Sequence, residues 1–211
     1  MKNSWDEIYL KIEKEQKTLK PHSDLKNIVK FLKKEKVRRI LDLGCGNGRN
    51  LIFLAKKKFE VYGIDFSKVA LKFLKEKLKK ERLKAKLKFA DIFKKLPYRE
   101  NFFDAIISIR VIHHQKFEKI KKLMKEIERV LKPGGFFFGT VLTREKIPKE
   151  RLPQLKFIDK RTYFILEGPE KGLYHFHFNK EILKNLLKNF KVFRIWKDAE
   201  NYLAFLAKLK K

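Results

Sequence analysis

Ile40-Leu41-Asp42-Leu43-Gly44-Cys45-Gly46-Asn47-Gly48-Arg49-Asn50 is the stretch from which the rest of this chain is read. An apolar run carrying one acid gives way to three glycines within five residues, and a helix-compatible stretch from Asn50 to Lys57 follows. That order predicts strand, tight turn, helix. Glycine is required where backbone must approach a ligand more closely than a β-carbon allows. A second apolar run, Phe59 to Ile64, ends in Asp65, 21 positions after Gly44. An acid about 20 residues past such a turn is where a βαβ unit sets a carboxylate against a ribose diol. The pattern points to a nucleoside-containing ligand.

The spacing narrows the ligand. A dinucleotide site uses G-x-G-x-x-G, with a helix N-terminus facing a pyrophosphate. Here Gly44, Gly46 and Gly48 give G-x-G-x-G, with Asp42 at the strand end. A carboxylate there repels a pyrophosphate but accepts a hydrogen bond from an ammonium group. S-adenosylmethionine carries a ribose, an adenine and an amino-acid tail, and no phosphate.

Further apolar runs extend the alternation. Leu25, Ile28, Val29 and Leu32 predict a helix before the first strand, Arg39 to Leu43. Strands are expected at Glu60–Ile64, Leu87–Ala90, Phe103–Ile109 and Phe136–Leu142. Ser67 is placed to cap a helix with the apolar face Val69, Ala70, Phe73, Leu74 and Leu78. A longer helix from Lys116 to Leu131 should stop at Pro133-Gly134-Gly135, and Asn179 should cap another through Leu187. The runs Lys191–Trp196 and Tyr202–Leu206 read as a closing strand pair. Alternating βα units imply a parallel sheet covered on both faces, with ligand beyond the carboxyl ends of its central strands.

The motifs Leu41 to Gly48, Val61-Tyr62-Gly63-Ile64-Asp65-Phe66-Ser67, Ala90-Asp91-Ile92, Phe103 to Ser108 and Arg129 to Gly135 occur in order. Together they resemble the class I S-adenosylmethionine-dependent methyltransferases over roughly Val37 to Leu142. The resemblance implies a Rossmann-like, doubly wound α/β fold: a mostly parallel seven-stranded sheet with an antiparallel last strand. It implies one domain over 1–211, with a helical lid or cap (1–36), a cofactor-binding core (37–142), an acceptor-side insertion (143–178) and a closing helix and strand pair (179–211). It also implies roles. Gly44, Gly46 and neighbouring backbone at Cys45, Gly48 and Asn50 would hold the methionine tail, with Asp42 orienting its amino group. Asp65 would take the ribose hydroxyls and Phe66 would lie on the adenine. Asp91 and the Ile92 amide would meet the adenine edge, while Ile109 and Arg110 line the sulfonium side. Trp5 and Tyr9, four apart on one helix face, would close over the cofactor or else pin that helix to the core.

No catalytic residue stands out. His113 and His114 follow the fourth strand, and His175 and His177 alternate with aromatics on one later strand; these are weak candidates for a base. A metal site needs more ligands than the His175–His177 pair, so none is expected. Cys45, the single cysteine, fits a reducing compartment and reads as a small filler of the turn rather than a nucleophile. The N-terminus lacks a signal-peptide core, and the longest strongly apolar run, Gly134 to Leu142, falls short of a membrane span. A cytoplasmic protein is expected, with its oligomeric state left open.

The acceptor divides the reading. The resemblance of Gly44–Asn50 and of Tyr202–Lys208 to tellurite-resistance-type methyltransferases implies a small-molecule acceptor, shaped by the segment from Thr143 to Leu173. Within it, Glu167 to Gly172 predicts a turn between two short strands. The alternative is tRNA or another RNA. Net charge is +29, with 54 Lys and Arg against 25 acids, and Ser108–His114 resembles the wobble-uridine tRNA methyltransferases. The lysines, however, fall on helices of opposite sheet faces. A cofactor-binding partner subunit without activity is a minor third reading, and none of its motifs is broken.

Overall fold

The computed structural model describes residues 2–15, 20–143 and 149–210, with backbone alone at 2–4 and 149–151. In chain order the helices are α1 (Lys2–Lys14), α2 (Leu25–Lys34), α3 (Arg49–Lys56), α4 (Lys68–Lys80), α5 (Phe117–Val130) and α6 (Lys180–Leu186). The strands are β1 (Arg39–Leu43), β2 (Glu60–Asp65), β3 (Lys86–Phe89), β4 (Phe103–Ile109), β5 (Leu131–Val141), β6 (Leu155–Phe157), β7 (Thr162–Ile165), β8 (Tyr174–Phe176), β9 (Phe190–Lys197) and β10 (Leu203–Leu209).

Seven strands form one sheet in the order β3-β2-β1-β4-β5-β10-β9, and β6-β7-β8 form a small separate sheet. β1 pairs in parallel with β2 and β4, and β10 runs antiparallel to both β5 and β9. The expected fold class is the observed one. Chain order reverses direction across the sheet at β1 and β4, so their carboxyl ends frame the crevice where such sheets take ligands.

Each face of the sheet has its own core. One contains Leu41, Leu43, Ile106 and Phe137 under the α5 stripe Ile120, Leu123, Met124, Ile127 and Val130. The other contains Ile40, Ile107, Phe136 and Phe138 under α2 and α4. Consecutive residues of β5 thus enter opposite cores, as the two-residue pleat requires. The Lys-rich helices α4 and α5 lie on opposite faces, as expected.

Local signals set most boundaries. Ser67 Oγ accepts from the Ala70 amide (3.0 Å), and Asn179 Oδ1 accepts from the Ile182 amide (2.8 Å). Three expectations shift. The buried face of α4 uses Leu71 with Ala70, Leu74 and Leu78, while Val69 and Phe73 are only half-buried. β3 begins at Lys86 and ends at Phe89, since the Ala90 amide already turns to the Asp65 carbonyl (3.0 Å). β5 begins at Leu131, opposite Phe103, so Pro133 and the glycines lie inside the strand. A register shift between Phe103 and Ala105 absorbs them, with Gly134 at φ 73°.

The turn expected between two short strands joins β7 to β8, which pair antiparallel. Positions 144–148 of the segment between β5 and β6 lie outside the described residues. Among the described residues no helix is long and apolar enough to cross a membrane.

Candidate active site

The glycine turn leaves β1 at its carboxyl end. Gly44, Gly46 and Gly48 all have positive φ (78°, 52° and 90°), which L side chains rarely adopt. At Gly44 a β-carbon would stand 2.5 and 2.6 Å from the two methyls of Val111. The amides of Gly44 and Cys45 both bond the Ile64 carbonyl (2.9 and 3.0 Å), tying the turn to β2. Asp65 completes the tie: Oδ2 accepts from the Gly46 amide (2.8 Å) and Oδ1 from Ser67 (2.9 Å). Each of its oxygens keeps a second lone pair for a hydroxyl.

Above this turn is a cavity of about 390 Å³, within the size range of small-molecule sites. The structure brings to it, of the residues expected from sequence, Gly44, Cys45, Gly46, Asn50, Asp65 and Phe66 from the first two βα turns. Asp91 and Ile92 reach it from the β3 end, and Ile109 and Arg110 from the β4 end. Trp5 and Tyr9 reach it from α1, and His113, His114 and His175 from the opposite wall.

Three expected residues do not line the cavity: Asp42, Gly48 and His177. Gly48 is the left-handed cap of α3 and packs on Leu74. Asp42 is buried behind the turn, and its Oδ2 has no hydrogen-bond partner among the described residues. Burial, with Asp65 adding repulsion, pushes the Asp42 carboxyl up to about 7. His177 packs at 4.8 Å on Tyr163 instead.

Several lining residues have structural duties as well. Asn50 Oδ1 accepts from the His22 amide (3.0 Å), and Asp91 Oδ1 from the Phe93 amide (2.9 Å). Burial pushes the Cys45 thiol well up, which leaves it protonated and fits the filler role. Arg110 sits at φ 61°, a strained value held by its amide bond to Thr140 Oγ1 (3.0 Å). Its guanidinium pairs with Glu200 and lies 4.8 Å over the Tyr202 ring.

α1 lies across the cavity. Tyr9 packs directly on the Gly46 backbone, where a β-carbon would collide with its hydroxyl. Trp5 stacks on Tyr9 (6.2 Å) and meets His114 edge-on (5.0 Å). Asp6 accepts from the Ser67 hydroxyl (2.5 Å), and Glu13 accepts from Asn47 Nδ2 (3.2 Å) and pairs with Lys77. The helix is therefore anchored by polar contacts at two of its turns.

At the far end, His114 Nδ1 is 3.0 Å from His175 Nε2. His114 Nε2 is 3.0 Å from the Arg110 carbonyl, and His175 Nδ1 is 3.0 Å from the Tyr163 hydroxyl. Burial pulls the His114 imidazolium down to about 4 and that of His113 well below its usual range, so both rings are neutral at pH 7. Glu170, Tyr202 and Arg49 also line the cavity and escaped the sequence reading. Only the turn between β7 and β8 hinted at Glu170.

A mostly parallel sheet with a G-x-G-x-G turn, an acid at the next strand end and a helix laid over the cavity is the frame of the site. Residues 40–135 match the family model described as a methyltransferase domain. The chain is 30% identical over 171 residues to human EEF1A lysine methyltransferase 2, covering 69% of this chain and 70% of that protein. It is 42% identical over 108 residues to the tRNA (carboxymethyluridine(34)-5-O)-methyltransferase of Arabidopsis thaliana, 51% of this chain but 24% of that one. The crystal structure of the PH0226 protein from Pyrococcus horikoshii OT3 superposes with TM-score 0.72 at 26% identity, covering 85% of this chain and 86% of that one. This chain belongs to the S-adenosylmethionine-dependent methyltransferases. It spans half or less of the length of most curated relatives it matches, 38% for TehB of Haemophilus influenzae.

Proposed function

We propose that this chain transfers a methyl group from S-adenosylmethionine to a small-molecule acceptor held at the His114–His175 end of the cavity. The donor fits the residues present. The glycine surface of the turn lets its amino-acid tail approach the backbone, and the Asp42 oxygen without a partner among the described residues supplies negative charge behind it. Asp65 and Phe66 would hold ribose and adenine, Asp91 and Ile92 the adenine edge, and Ile109 and Arg110 the sulfonium side. The bound donor brings a methyl already activated on a sulfonium.

The protein's part is then to position and to exclude water. Orientation alone supplies up to about 7–11 kcal/mol in the best-aligned reactions. Trp5 and Tyr9 act as a lid that orders the donor and dries the site. His114, with an imidazolium near 4, is a weak base, and its two ring nitrogens already face the Arg110 carbonyl and His175, so it shapes that wall and positions the acceptor.

The observation that carries the small acceptor is enclosure: Trp5 of α1 meets His114 edge-on, and His114 in turn meets His175 of β8, so three segments wall one end. The second reading, tRNA, is supported by the 42% identity to the plant enzyme and by the +29 charge. Labelled donor incubated with RNA-free metabolites, bulk tRNA and protein fractions separates them. Label in the metabolite fraction is expected. Label confined to RNA, with binding that falls steeply with salt, would replace this proposal with the second; label confined to protein would remove both.

A further inference from the structure

We infer that His114, His175 and Glu170 form a binding site for a divalent transition-metal ion of the zinc type. His114 follows β4, Glu170 sits in the turn between β7 and β8, and His175 lies in β8. Their ligand atoms all lie within 4.8 Å of one another. His175 Nε2 is 3.0 Å from His114 Nδ1 and 3.5 Å from Glu170 Oε2. Two ligands on a tetrahedral ion with bonds of ~2.0–2.1 Å stand roughly 3.3 Å apart. A slight outward movement of one imidazole and an inward movement of the Glu170 carboxylate bring all three within reach of one ion.

The outer nitrogens set the tautomers. A carbonyl only accepts, so His114 Nε2, 3.0 Å from the Arg110 carbonyl, carries its proton and Nδ1 presents a lone pair. The Tyr163 hydroxyl, 3.0 Å from His175 Nδ1, can accept in the same way and leave Nε2 as the second lone pair. A carbonyl or hydroxyl behind each ring is how proteins orient ligating histidines. Without a metal, a single N–H shared between the two rings would satisfy them both. The Glu170 carboxylate, 3.5 Å from His175 Nε2, adds a third ligand atom on the same side of the two rings.

Two imidazoles and one carboxylate suit zinc, cobalt, nickel or ferrous iron better than magnesium or calcium. Three protein ligands leave a coordination position open. All three residues line the cavity, so that position would face the acceptor space. The acceptor class this favours is a small molecule with a hydroxyl, thiol or chelating oxygen pair. That consequence rests on the proposed methyl transfer; the metal site itself does not.

Untagged protein, stripped with a chelator and dialysed, is titrated with Zn2+ by calorimetry and with Co2+ by visible absorption. One ion per chain is expected, with the intense bands of four- or five-coordinate cobalt. His175→Ala and Glu170→Gln should each bind at least about tenfold more weakly. S-adenosylhomocysteine affinity on the same samples, unchanged within about threefold, shows that the variants are folded. Failure of Zn2+ and Co2+ to bind below millimolar, or wild-type binding by both variants, overturns the site. Loss of S-adenosylhomocysteine binding by the wild-type protein would instead refute the donor reading.

Discussion

The two ends of the cavity are built differently. The proposed donor end is made within one βαβ unit: the turn at 44–48 and the acid at Asp65 are joined by backbone amides, and the strain is carried by glycines. The proposed acceptor end is made by side chains from distant segments, with His114 and His175 61 positions apart and Trp5 of α1 against His114. A backbone-built site tolerates change elsewhere in the chain. A side-chain site moves with any of its three supports. One Rossmann-like frame can therefore keep its donor while its acceptor changes.

The sharpest test of that division is His114→Ala together with His175→Ala. Methyl transfer should fall by about a hundredfold through lost positioning, while calorimetric S-adenosylhomocysteine affinity stays near wild type. Equal losses in both would mean that the two ends are one unit. Gly44→Ala should do the reverse. A left-handed non-glycine costs roughly 1–2 kcal/mol, and both Val111 methyls block the new β-carbon, so donor affinity should drop by about 2–3 kcal/mol in total.

Asp65→Ala removes acceptors from two buried amides and, on the proposed donor pose, from the ribose hydroxyls. Donor affinity should weaken by about 1–3 kcal/mol, with a lower melting temperature because the turn loses its tie to β2. Unchanged affinity would show that the ribose lies elsewhere.

The smallest effect on donor affinity is the pH response of Asp42. Its carboxyl, usual value 3.8, is pushed up to about 7 in the folded chain. The folded state therefore holds the proton more tightly, and ligand-free stability should fall as pH rises from about 4 to 7, by at most about 4 kcal/mol. Donor binding should run the other way, because the ionised form attracts the ammonium group. S-adenosylhomocysteine affinity should rise up to about tenfold between pH 6 and 8. Asp42→Asn should flatten both curves in thermal-shift and calorimetric titrations.

Much of the glycine turn and the elements around it was legible because the signals are local. Ser67 and Asn179 cap the helices their sequence contexts predict. The boundaries that slipped did so for tertiary reasons. Leu131 enters β5 early because the Phe102 amide already bonds the Val130 carbonyl (2.8 Å) and Phe103 waits opposite. His22 gave no signal at all, yet it is buried against Asp198 at 3.0 Å and braces Asn50 from behind. At the acceptor end, the pairing of His175 with His177 suggested by alternation gives way to His175 with His114 and Glu170, since β8 packs beside the segment after β4 through the Phe176 amide and the His113 carbonyl (2.8 Å).

The sequence by itself determined the sheet, its glycine turn and the family, because strand periodicity, caps and positive-φ positions are set by residues near one another in the chain. Only the tertiary structure decided which histidine meets which, that Asp42 is sealed behind the turn, and that α1 covers the cavity. Those contacts join segments far apart in sequence, and their partners are chosen by packing geometry, which no local pattern encodes.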